Sequence, residues 1–114
     1  MTGPIHVLVV DEDEDVLDLA EAFLPRESDA LSVTPESSVL AGLDRVETGA
    51  VDCVVSDYRM PEMDGLEFFE AVREREATLP FFLVSASAGN KLAARARDAG
   101  VTGFVQKGAG SDHY

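Results

Sequence analysis

The chain has 114 residues and a mass of 12.2 kDa, room for a single domain of the usual about 100 to 200 residues. With 46% apolar and 27% charged residues it has the make-up of a globular protein, so a two-domain enzyme and wholesale disorder are both excluded. Nine basic residues against 22 acidic ones give a net charge of -13, and that field repels nucleic acid and anionic lipid.

The longest apolar runs, Val7-Leu8-Val9-Val10 and Pro80-Phe81-Phe82-Leu83-Val84, fall short of the roughly 18 to 20 residues that span a bilayer. No basic-then-apolar leader is read at the start, so the expected location is cytoplasmic. Cys53 is the single cysteine; it rules out an intramolecular disulfide and reads as a buried core thiol.

Strand-like and helix-like segments alternate, the pattern of parallel strands joined by crossover helices. Ile5 to Val10 is a nearly continuous β-branched run, as expected of a strand buried on both faces. From Asp13 onward Val16, Leu17, Ala20, Phe23 and Leu24 recur at helical spacing until Pro25 closes the segment. Acids at Asp13, Glu14 and Asp15 suit the first helical turn.

Leu31 to Thr34 reads as the second strand. Ser37 or Ser38 caps a helix that carries Leu40, Leu43 and Val46 and ends at Gly49. Val51 to Ser56 is the third strand, and after the turn Met60-Pro61-Glu62-Met63-Asp64-Gly65 a helix presents Leu66, Phe69 and Val72 on one face. Phe81 to Val84 is the fourth strand. Lys91 to Ala99 is helical with Leu92 alone among alanines, so it is expected to be held less firmly. Gly100 ends it, and Val101 to Gln106 is the fifth strand.

Only Lys107-Gly108-Ala109-Gly110-Ser111-Asp112-His113-Tyr114 follows. A doubly wound sheet needs helices on both faces, and a fifth helix burying about four large side chains contributes about 6 to 12 kcal/mol of gross apolar burial. The expectation is one domain over residues 1–114, a C-terminally truncated piece of a longer protein that self-associates through the face left open.

In open parallel sheets, ligands bind outside the carboxyl ends of the strands. Asp11 and Glu12 end the first strand, Asp57 the third, Ser85 the fourth and Lys107 the fifth, so all five converge on one edge. Like charges there repel by on the order of 4 kcal/mol at about 4 Å unless a cation neutralises them. An oxygen-only site beside a lysine and a hydroxyl suits Mg²⁺ handling phosphate.

Taken together, Val7-Leu8-Val9-Val10-Asp11-Glu12, Val54-Val55-Ser56-Asp57-Tyr58-Arg59-Met60-Pro61-Glu62-Met63-Asp64-Gly65, Ser85-Ala86 and Phe104-Val105-Gln106-Lys107 resemble the receiver domain of two-component response regulators over Ile5 to about Lys107. The resemblance implies a flavodoxin-like five-stranded parallel sheet in the order 2-1-3-4-5. It implies Asp57 as phosphoacceptor from a sensor histidine kinase or a small donor. Glu12, Asp57 and the backbone carbonyl of Arg59 would hold Mg²⁺, with Asp11 acting through a water.

The resemblance also implies that Ser85, Ala86 and Lys107 contact the phosphoryl group, and that Ser85 and Phe104 form the switch that alters a protein-interaction face. Such a domain is not an enzyme beyond its own phosphorylation and dephosphorylation, and it serves an output domain or partner protein. Several positions depart from the family pattern. Glu12 stands where Asp is more usual, Gly108 replaces the common proline after the lysine, and Phe104 lacks the tyrosine hydroxyl of many relatives. Arg59 and Ser87 occupy positions that tune dephosphorylation.

The acids run from Asp11 to Asp112 and only Lys91 and Lys107 are lysines, a surface like that of proteins from salt-loving archaea. Two other readings fail on the residues present. A phosphatase of the haloacid dehalogenase type would use Asp11 as nucleophile and Asp13 as acid-base, but it requires Thr or Val at the position of Asp15 and a further acidic motif beyond the lysine. A calcium loop over Asp11-x-Asp13-x-Asp15 fails at Val16 and Ala22. A receiver-like module that acts without phosphorylation is the remaining alternative.

Overall fold

The computed structural model describes residues 5–27, 30–85 and 90–106. Along the chain run β1 (Ile5–Val10), α1 (Glu14–Glu27), β2 (Leu31–Glu36), α2 (Val39–Glu47), β3 (Cys53–Asp57), α3 (Gly65–Arg75), β4 (Phe81–Ser85), α4 (Asn90–Ala99) and β5 (Gly103–Gln106). The strands form one parallel sheet in the order β2-β1-β3-β4-β5, the doubly wound arrangement expected from the alternation of apolar runs.

Local chemistry accounts for most boundaries. The Asp13 side chain accepts from Asp15 N–H at 2.9 Å ahead of α1. Ser38, not Ser37, caps α2, its hydroxyl accepting from Ala41 N–H. Asp64 and Glu67 form a reciprocal capping box on α3, which satisfies two of the orphan donors of a helix start. Gly49 and Gly100 end α2 and α4 with positive φ, 77° and 98°.

Several boundaries differ from expectation; β3, expected over Val51 to Ser56, runs Cys53–Asp57, its pairing with β1 beginning at Cys53 and its pairing with β4 continuing to Asp57. Helix α1 runs two residues past Pro25, because a proline in the last turn costs one ladder bond where few remain to lose. Strand β2 extends through Pro35 to Glu36, tolerated because β2 is an edge strand. Strand β5 begins at Gly103 rather than Val101, since Val101 N–H still bonds back to Ala96 at the end of α4.

The core is two-sided. Leu8, Val10, Val54 and Leu83 on one sheet face pack with α2, α3 and Ala96 of α4 around the edge-to-face rings of Phe68, Phe69 and Phe81. On the other face Val7 and Val9 pack with Leu17 of α1. Strand register puts Cys53, Val55, Phe82, Val84 and Val105 on that second face too.

Among the described residues there are four helices and none follows β5. Val105 is 43% exposed, while Cys53, Val55, Phe82 and Val84 are half-buried. The expectation that Cys53 is a buried core thiol is thus corrected: α1 covers the β1 side of this face, leaving Cys53 partly open. Its thiol is still pushed up from its ordinary pKa, first by burial and then by the charge of Asp52. Helix α4 buries only Ala96 fully among its described side chains, with Leu92 half-buried, in line with its alanine-rich sequence.

Candidate phosphoacceptor site

Parallel pairing brings the carboxyl ends of β1, β3 and β4 to one edge. Val10 pairs with Ser56, and Asp57 pairs with Val84, so Asp11, Asp57 and Ser85 leave the sheet side by side. Asp11 is buried, 4% exposed. Its N–H bonds to the carbonyl of Glu36, and its Oδ1 accepts from Asp13 N–H at 2.9 Å. Glu12, next along, is exposed.

Asp57, the last residue of β3, is half-buried. Its Oδ1 accepts from the N–H of Tyr58 at 3.0 Å, and that N–H also lies 2.8 Å from the carbonyl of Val84. Ser85 is 1% exposed at the end of β4, and Arg59 is exposed in the loop beyond Asp57. Phe104 pairs with Leu83 and packs half-buried against the larger core. Because side chains alternate along a strand, Phe104 and Ser85 share one sheet face as diagonal neighbours across β4 and β5.

Ala86, Ser87, Lys107 and Gly108 lie outside the described residues. Of the expected set, then, Asp11, Asp57 and Ser85 come together by strand register, Glu12 stands on the outside of the turn after β1, and Phe104 lies behind Ser85. Among the described residues no group of three His, Cys, Asp or Glu side chains could by itself hold a metal ion. Of the two adjacent acids in the turn after β1, Asp11 is buried and Glu12 exposed.

Three further groups bear on the site and were not singled out from sequence. The hydroxyl of fully buried Ser56 donates to the carbonyl of Asp57 at 2.9 Å. The N–H of Gly65 donates to the carbonyl of Tyr58 at 2.7 Å. Arg95 of α4 reaches the Tyr58 hydroxyl at 3.4 Å. A serine inside a strand run of buried-face positions was the one signal available, and it names no partner.

Comparison with known proteins gives a consistent answer. The family model for the response regulator receiver domain matches residues 7–113. The transcriptional regulatory protein GlrR of Escherichia coli (strain K12) is 33% identical over 109 residues, 96% of this chain and 24% of that protein. The bacterioopsin transcriptional activator of Halobacterium salinarum is 37% identical over 79 residues, 69% of this chain and 12% of that protein.

Among solved structures, the non-phosphorylated HemR receiver domain from Leptospira biflexa superposes with a TM-score of 0.83 at 25% identity, covering 96% of this chain and 86% of that one. The chain therefore spans about a quarter or less of the length of these two curated relatives.

Proposed function

This chain belongs to the response regulator receiver domain family, the phosphorelay module of two-component signalling, and from that premise we propose that Asp57 is its phosphoacceptor. The single observation that carries the reading is the position of Asp57: a half-buried carboxylate at the end of the central strand β3, flanked by buried Asp11 and Ser85 on neighbouring strand ends. In the reaction a carboxylate oxygen of Asp57 attacks the phosphorus of a phosphohistidine on a sensor kinase, or of a small acyl phosphate. An O–P bond forms, and the donor's N–P or O–P bond breaks with its electron pair leaving on the departing group. Such transfer needs chiefly positioning and neutralised charge on the equatorial oxygens.

The oxygen donors at this edge fit Mg²⁺, which takes one or two carboxylates and keeps several waters, so no closed cage of three carboxylates is required. Asp57, Glu12 and the carbonyl of Arg59 would hold it, with Asp11 acting through a water. When bound it supplies neutralisation of the phosphoryl charge. Lys107, Ser85 and the backbone at Ala86 would meet the phosphoryl oxygens, and Tyr58 N–H steadies the attacking carboxylate beforehand.

The added charge and acceptor oxygens then draw on Ser85, and Phe104, diagonal to it, repacks, which changes the face formed by α4 and β5. The readout is a changed protein-interaction face for an output domain or partner protein. The domain works in the cytoplasm of a salt-loving organism, makes no nucleic-acid contact of its own through its acidic surface, and self-associates through the apolar face around Val105.

Phosphoryl incorporation from acetyl phosphate, with and without Mg²⁺, tests the reading in wild type and Asp57→Asn. Metal-dependent labelling lost in the variant is expected. Well-folded wild type that takes up no label, or label retained by Asp57→Asn, would overturn it.

A further inference from the structure

Ser56 occupies a position that its neighbours would give to an apolar residue. It pairs with Val10 on β1 and Leu83 on β4, and both are fully buried. A hydroxyl without a partner in such surroundings is destabilising, and Ser56 resolves this by donating to the carbonyl of Asp57 at 2.9 Å, with Met60 Sδ packed alongside at 3.9 Å.

That carbonyl and the N–H of Tyr58 are the two ends of one planar peptide unit. The bond at one end therefore sets the direction of the other, and that N–H points at Oδ1 of Asp57 and at the carbonyl of Val84. A hydrogen bond to the carbonyl also polarises the N–H across the same unit. From beneath the site, then, Ser56 fixes the plane whose outer end holds the carboxylate.

We infer that Ser56 is a positioning residue for the phosphoacceptor, acting through the peptide between Asp57 and Tyr58; the inference rests on the reading of Asp57 above. Ser56→Ala keeps the small size the core requires and removes the donor. In that variant the rate constant for phosphorylation by acetyl phosphate at saturating donor falls about fivefold, the worth of one neutral hydrogen bond, while the half-saturating donor concentration is unchanged. In the absence of donor and Mg²⁺, the Tyr58 amide proton moves upfield in the NMR spectrum and exchanges faster. Val46→Ala, a core truncation in α2, serves as the control for lost stability alone and keeps both the rate and the Tyr58 resonance.

Wild type that labels while Ser56→Ala labels equally fast overturns the role of Ser56 and leaves Asp57 as acceptor. A rate loss without the Tyr58 change, or an equal loss in Val46→Ala, overturns it too. If wild type takes up no label at all, the reading of Asp57 falls and this inference falls with it.

Discussion

Gly65 meets Tyr58 closely enough that its N–H donates to the Tyr58 carbonyl at 2.7 Å, drawing the first residue of α3 onto the loop that leaves Asp57. A Cβ built on Gly65 would stand 2.4 Å from Leu83 Cδ1, 2.7 Å from the Asp57 carbonyl oxygen and 2.9 Å from Tyr58 Cα. Two of those three neighbours are backbone atoms, of Asp57 and Tyr58, and cannot step aside as a side chain can. Gly65→Ala is therefore expected to cost about 1 to 3 kcal/mol and to slow phosphoryl uptake at Asp57. Urea unfolding checks the first effect, and an unchanged midpoint would show that the loop has room.

The charge of -13 loads the folded state with self-repulsion that salt screens within roughly 10 Å at 0.1 M and 3 Å at 1 M. The ion pairs Arg45–Glu36, Arg75–Glu47 and Arg75–Glu74 each have at least one partner a third or more exposed, so their loss in salt costs little against the repulsion that screening removes. The melting temperature is expected to rise steadily with KCl. Indifference to salt between low and molar concentration would contradict this.

Cys53 carries a thiol whose pKa is raised, first by burial and then by Asp52. Nucleophilic attack needs the thiolate, so raising the pKa lowers the reactive fraction at any pH below it. Alkylation by iodoacetamide at pH 7 to 8 is expected to be slower than that of the same residue in urea, and to climb only at pH above the usual thiol range. Equal rates in the folded and unfolded chain would show that neither burial nor Asp52 protects it.

Val105, at 43% exposure, lies beside half-buried Val84 and near Phe82, whose ring stands where a Cβ on Gly103 would come within 2.7 Å. An apolar sheet face of this kind gains by being covered, and salt weakens the repulsion between two acidic copies. Sedimentation in high salt is expected to show weight-average mass rising with concentration for wild type, and a monomer for Val105→Glu. A wild type that stays monomeric at every concentration would remove the self-association.

Much of the architecture was legible because the reasons for it are local. A buried parallel strand needs an uninterrupted apolar run, and the runs at Ile5–Val10 and Phe81–Ser85 have no helical period to confuse them. The start of α2 was readable to within one residue because a serine there caps its own backbone, as Ser38 does, whereas the capping box of Asp64 and Glu67 on α3 was not read. Pro25 does not end α1, because the local rule that proline ends helices does not say how many ladder bonds remain to be lost.

Asp57 stood out in the sequence through its place at the end of an apolar strand and the turn that follows it. That Asp11 is buried while Glu12 is exposed did not, since adjacent acids in one turn look alike until the chain's direction on leaving the sheet is known. The same holds for Cys53, whose exposure depends on what lies across a sheet face rather than on its neighbours in the chain. Residue identity and spacing were enough for the alternation of strands and helices, for the order in which Asp11, Asp57 and Ser85 reach the strand ends, and for the excess of negative charge. That the Ser56 hydroxyl meets the Asp57 carbonyl, that Phe104 lies diagonal to Ser85 and that Arg95 reaches Tyr58 came from the packed chain alone, because contacts between or beneath strands depend on register and facing, which no local run of residues specifies.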